Sequence, residues 1–182
     1  MIKWIIDTLN FFPFIDICVI VGYKSEEIKQ YLGDDLICVF QDQQKGTAHA
    51  VQKAESVISD YKDILILPAD SPMVSKDSID RLYKSHINKS ASCSFFTSIF
   101  PSDLPYARVI RKENIVVDCI EAIDLNKPSK INELFTSHYL IDSSDLINSI
   151  NKINPHKLTG EYHLTEIIKI LSNNQCVLND IQ

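Results

Sequence analysis

The stretch Asp63-Ile64-Leu65-Ile66-Leu67-Pro68-Ala69-Asp70-Ser71-Pro72 decides how this chain folds. Its apolar run is too short for a helix and suits a strand buried on both faces. Pro68 and Pro72 stop the run, and Asp70 follows its carboxyl end. A carboxylate there suits Mg²⁺, a hard cation that takes oxygen ligands and keeps several waters. The same residue also reads as a turn aspartate ahead of Pro72.

Working outward, residues 15–21 (IDICVIV) form a second β-branched run that ends at Gly22. Ser25, followed by Glu26 and Glu27, opens a helix over 25–32 that stops at Gly33. A strand over 36–40 and a helix over 47–58 complete the stretch up to Asp63. Upstream, Ile2, Ile5, Ile6 and Leu9 fall at helical spacing over 2–11, and Pro13 ends that helix. Downstream, Ser75 opens a helix over 75–87. Strand and helix alternating at this spacing predict βαβ units and a parallel sheet.

The pattern then changes. Strands are predicted over 91–98, 108–111, 115–123 and 135–141, with helices over 143–150 and 164–171. Residues 151–159 read as loop. The chain is one domain over 1–182, with a βα half (1–90) and a mixed or antiparallel half (91–182). A chain of 182 residues suits one sizeable core. The net charge of −6 disfavours a nucleic-acid partner, so a phosphorylated ligand must be met by local donors. No stretch is apolar and long enough to span a membrane. Asp7 and the absence of a basic lead argue against a signal peptide. The five cysteines form no C-x-x-C pair and read as reduced core residues of a cytoplasmic protein.

A second polar loop, Gln41-Asp42-Gln43-Gln44-Lys45-Gly46-Thr47-Ala48-His49-Ala50, leads into a helix. Gly46 permits close backbone approach, and Thr47 can cap the helix, whose first amides can bind a polar partner. A plain capped loop is the other reading.

Five segments in order complete the picture: Gln41 to Ala50; Asp70 to Pro72; Tyr106-Ala107-Arg108-Val109; Ile120-Glu121-Ala122-Ile123-Asp124; and Gly160-Glu161-Tyr162-His163-Leu164-Thr165-Glu166-Ile167-Ile168. Over nearly its whole length the chain resembles the bacterial N-acetylglucosamine-1-phosphate uridylyltransferases of the sugar nucleotidyltransferase family. The resemblance implies a Rossmann-like, GT-A-like α/β domain with a mixed sheet. It implies that Gln41, Gly46 and Thr47 read the uracil ring of UTP. Asp70 would hold the catalytic Mg²⁺. Ala107, Glu121 and Thr165 would bind N-acetylglucosamine-1-phosphate, and Tyr162 would shape the wall. The reaction implied is attack of a sugar-1-phosphate oxygen on the α-phosphorus of UTP, with pyrophosphate leaving.

The sequence also departs from that family. Family members open on a strand and a glycine-rich loop that hold the triphosphate, whereas this chain opens on the helix that comes afterwards. No G-x-G occurs in it. The missing strand would lie in the centre of the parallel sheet, leaving unpaired backbone groups on its neighbours. The family's second metal ligand, an Asn, lies past the end of this chain. The family's Y-G-R reads Tyr106-Ala107-Arg108, and its N-T-G reads Phe135-Thr136-Ser137, where Phe135 removes a sugar partner and adds bulk. The second Tyr of its G-E-Y-Y is His163. Three readings follow: a transferase domain whose front segment is missing from this chain, either encoded separately or left out by a start placed too late, a non-catalytic remnant or binding module, or a transferase for another sugar or nucleotide.

Overall fold

The computed structural model describes residues 1–13, 15–33, 35–101, 104–125 and 129–181. The order of elements is α1 (Ile2–Leu9), β1 (Cys18–Val21), α2 (Ser25–Leu32), β2 (Ile37–Phe40), α3 (Thr47–Lys53), α4 (Glu55–Ile58), β3 (Asp63–Ile66) and α5 (Lys76–Lys89). There follow β4 (Cys93–Ile99), β5 (Arg108–Lys112), β6 (Ile115–Ile120), a 3-10 turn (Ala122–Asp124), β7 (Glu133–Asp142), α6 (Ser143–Ile150), α7 (Glu166–Asn173) and β8 (Leu178–Ile181).

The strands form two sheets. β1 and β2 pair in parallel, Cys18 opposite Ile37 and Val21 opposite Phe40. The larger sheet runs β6-β5-β7-β4-β8, with β3 added antiparallel to the far end of β7. β4 and β8 are parallel, and the other pairs in this sheet are antiparallel. This is the mixed sheet expected from sequence. The parallel sheet of the first half, however, is confined to β1 and β2. Among the described residues, no ladder joins β1 to β3.

Both of these strands nevertheless lie in one layer. Cys18 and Ile20 of β1, with Ile64 and Ile66 of β3, pack on the main core. Ile17, Leu65 and Leu67 point the other way, onto a small cluster of Ile5, Leu9 and Ile79 from α1 and α5. The alternation is that of a strand covered by helices on both faces. Yet β3 and most of β1 are only half-buried, a correction to the full burial expected of these runs. The physical reason is the unpaired edge on each strand, which leaves flanking side chains without a neighbour on one side.

The main core lies between the larger sheet and α3, α4, α6 and α7. It includes Val51, Ile58, Phe95, Tyr139, Leu146, Ile150, Ile167, Ile168 and Leu171. The helix expected over 47–58 is broken at Ala54, for which the sequence carries no marker. β8 is an element the sequence did not announce. Its middle residues, Asn179 and Asp180, are polar and break the strand pattern, and each has a partner. Asn179 donates to Ser94 Oγ at 2.9 Å and Ser85 Oγ at 3.0 Å. Asp180 meets Arg111 at 2.5 Å, and Arg111 also grips Glu133 at 2.6 Å, so one guanidinium joins β5, β7 and β8. Ser94 Oγ also lies 2.9 Å from His86 Nδ1, and His86 Nε2 lies 3.4 Å from Asp63. This Ser-His-Asp series is closed to substrate, because Ser94 is 0% and His86 3% exposed. It acts as a satisfied internal network that ties α5 to β3, β4 and β8.

Candidate active site

The two loops singled out from sequence leave the carboxyl ends of β2 and β3, where ligands of open sheets sit. Gln41 N–H donates to Val21 O at 2.7 Å, extending the β1–β2 ladder to the loop. Its side-chain Nε2 donates to Gly46 O at 3.1 Å and lies 3.0 Å from His49 Nδ1. With Nε2 as donor, His49 Nδ1 accepts and its proton sits on the other ring nitrogen. The Gln41 amide therefore closes the loop, and its Oε1 has no partner among the described residues. Beside it, Gly22, Tyr23, Lys24, Phe40, Gln41 and Gln44 line an open cleft of about 600 Å³.

The loop is bound to the segment that precedes α7. Tyr162 N–H donates to Lys45 O at 2.7 Å, and Ala48 N–H donates to Tyr162 O at 2.9 Å. Leu164 N–H donates to Thr47 Oγ1 at 2.9 Å. This is why position 46 is glycine. Its φ is +101°, and a Cβ there would lie 2.6 Å from Tyr162 O. Thr47 accepts through its hydroxyl oxygen and keeps its own O–H to donate.

Three residues beyond Tyr162, Thr165 leaves the N-terminus of α7 uncapped and instead donates to Glu121 Oε1 at 2.5 Å. Glu121 sits where β6 ends and the 3-10 turn begins. Gln41, Gly46, Thr47, Tyr162, Thr165 and Glu121 are thus joined by one run of bonds through residues 162–165. A polar ligand at the loop and a hydroxylated one at Glu121 would share this wall.

Ala107 and Asp70 lie outside that run. Ala107 is 6% exposed, and its carbonyl accepts from Phe135 N–H at 2.9 Å. The next residue, Arg108, is 1% exposed and donates to the carbonyls of Tyr106, Leu104 (2.7 Å) and Ile131 (2.9 Å). It fixes the approach to β5. The ring of Phe135 does not add bulk to a sugar site, which corrects the expectation. It is 1% exposed in the main core, 5.3 Å from the Phe95 ring and 5.0 Å from that of Tyr139. What the substitution does there is remove a polar side chain.

Asp70 is exposed in the turn after β3. Among the described residues, no group of three or more His, Cys, Asp or Glu could hold a metal. A single exposed carboxylate fits Mg²⁺, which is held by one or two carboxylates plus waters and substrate phosphates. The sequence reading missed a neighbour, His138. β4 and β7 fall out of step between Phe95 and Thr97, and Ser137 takes a φ of +61° in the β7 bulge. His138 stands in that bulge with Nδ1 2.7 Å from Thr136 O. Burial pushes its imidazole below the ordinary histidine range, while the Thr136 carbonyl and the Asp70 charge pull it upward. The signal was Ser137 in place of a glycine, which marks a residue in the left-handed region.

The chain is similar to known proteins in sequence and in fold. The chain is 36% identical to the bifunctional protein GlmU of Thermosipho melanesiensis over 100% of its own length and 40% of that protein. It is 33% identical to GlmU of Thermosipho africanus (99% and 39%). It therefore spans about 40% of the length of these relatives. In fold it is similar to a UDP-glucose pyrophosphorylase solved with UDP-glucose, with a TM-score of 0.77 at 14% identity over 98% of this chain and 77% of that one. A putative glucose-1-phosphate thymidylyltransferase from Bacillus anthracis also gives 0.77, at 18% identity, over 99% and 72%. Residues 1–170, which include every residue of the wall just described, match the family described as Nucleotidyl transferase, and the chain belongs to that family.

Proposed function

We propose that this chain is the substrate-binding body of a uridylyltransferase that makes UDP-N-acetylglucosamine from UTP and N-acetylglucosamine-1-phosphate. The observation that carries the reading is the bonded wall from Gln41 through Tyr162 to Thr165 and Glu121. A uracil ring offers an N–H between two carbonyls. Gln41 Oε1 would accept from that N–H, and the Thr47 hydroxyl and Gly46 N–H would donate to the carbonyls. Glu121 would accept from sugar hydroxyls, with the N-terminus of α7 beside Thr165 facing the sugar phosphate. Ala107 would line the sugar side.

Asp70 would hold Mg²⁺, which neutralises phosphate charge as pyrophosphate leaves. The chain's own contribution is positioning. It would hold the sugar-phosphate oxygen in line with the α-phosphorus and aim fixed dipoles at the charge that develops. A strand and a glycine-rich loop outside these 182 residues would supply the triphosphate contacts. The unpaired edges of β1 and β3, in one layer and under the same helices, support this. Such a product is a cytoplasmic intermediate of cell-wall precursor synthesis.

The test is pyrophosphate release from the purified chain with UTP, N-acetylglucosamine-1-phosphate and Mg²⁺. It is run with and without the first strand and loop of the Thermosipho melanesiensis relative supplied in trans. Release is expected only with the added segment, and Asp70→Ala should lower it by about 100-fold or more. A folded mixture with no release would make the chain a binding module of the same fold.

A further inference from the structure

Segment 156–165 is tied to the end of β6 a second time, away from Thr165. His156 Nε2 lies 2.9 Å from Asp124 Oδ1 and 3.1 Å from Oδ2. The rest of this residue is also engaged. Thr159 N–H donates to Nδ1 at 3.3 Å, so Nδ1 accepts and the proton on Nε2 faces the carboxylate. The His156 N–H donates to Glu161 O at 2.8 Å, and its carbonyl accepts from Gly160 N–H at 2.8 Å. The His163 ring packs edge-on at 5.2 Å. The His156 side chain is only 10% exposed.

Asp124 closes the 3-10 turn that Glu121 begins, its N–H donating to Glu121 O at 3.0 Å. The turn is therefore held at one end by Thr165 and at the other by His156. With both ties, the turn is bonded to segment 156–165 at its two ends; with Thr165 alone, one end of it has no such bond. We propose that His156 is a positioning residue for the sugar-phosphate site. Its bond to Asp124 holds the turn that presents the Glu121 carboxylate. This rests on the transferase reading above.

The test uses the full chain and NMR, reading the Glu121 and Thr165 amide signals and the affinity for N-acetylglucosamine-1-phosphate. His156→Ala should displace both signals and weaken binding about tenfold, the size of one lost hydrogen bond. His156→Gln, whose amide N–H can reach the same carboxylate, should restore both to within about threefold of the original. Asp124→Ala should repeat the loss and serves in place of His156→Ala if that variant does not fold. Unmoved Glu121 and Thr165 signals in the alanine variants would overturn the proposal, as would failure of the glutamine to rescue. If the unmodified chain does not bind the sugar phosphate, the transferase reading fails by itself. The amide signals still decide whether His156 sets Glu121.

Discussion

The front and back of this molecule are built from similar apolar strands and end up differently held. In the back, β7 has β4 along one edge and both β3 and β5 along the other, and among the described residues twenty buried ones, those of α3 and α4 included, form the core beneath the sheet. In the front, among the described residues, β1 and β2 pair only with each other, and the small cluster has three buried members. Trp4, Phe11, Tyr23, Tyr31 and Phe40 stay exposed there. At about 1.5–3 kcal/mol for each large apolar side chain fully buried, the difference between clusters exceeds the net stability of a domain. Hydrophobic runs make strands, but paired edges are what let those strands finish a core.

The largest expected effect follows directly. Native-state hydrogen exchange should show β4 and β7 amides opening only with global unfolding, and β1 and β2 amides opening at least about 100-fold more often. Equal protection in the two sheets would break the comparison.

A smaller effect tests what holds the back together. Arg111→Met leaves Glu133 and Asp180 facing each other without their shared cation. The guanidinium is partly exposed, so the cost should be about 2–3 kcal/mol, between the figures for surface and buried pairs. Urea unfolding reads this as a lower midpoint, with the β8 amides losing protection first. A change under about 0.5 kcal/mol would mean that β8 is held by Asn179 and packing alone.

Gly46→Ala tests the seam between the halves. It places a Cβ 2.6 Å from Tyr162 O at a φ of +101°. A left-handed backbone costs a non-glycine residue about 1–2 kcal/mol. The front loop should lift from residues 161–164, which would show as exposure of the Ala48 and Tyr162 amides. Unchanged exchange at those two amides would show that the seam does not depend on Gly46.

Much of this was legible in the chain. Apolar runs gave most of the strands, and Ser75 and Gly33 marked helix ends that the structure keeps to within a residue. The family motifs pointed to Gln41, Thr47, Glu121 and Thr165, which the fold joins through residues 162–165. What escaped was of two kinds. β8 escaped because Asn179 and Asp180 look like loop residues until Ser94 and Arg111, distant in sequence, are placed beside them. The open edges escaped full description because burial of Ile64 or Ile20 depends on a neighbour that periodicity cannot supply. His156 escaped for the first reason, since its partner Asp124 lies 32 residues away.

The smallest effect is a pH slope, and it joins the turn after β3 to the bulge of β7. His138 belongs to the β7 bulge, whereas Asp70, whose charge acts on it, follows β3. Burial holds the folded-state value of His138 below about 6.5, the value in an unfolded chain. The unfolded state therefore takes up the proton first as pH falls. Stability from this group is complete above about pH 6.5 and is lost as pH drops toward and through the lower folded-state value. Urea midpoints in chelator-treated buffer should decline across that window, and His138→Asn should flatten the decline. Asp70 opposes the burial, so Asp70→Asn should steepen it by lowering the folded-state value further. If Asp70→Asn leaves the slope unchanged, the turn after β3 does not approach the bulge closely enough for its charge to act on His138.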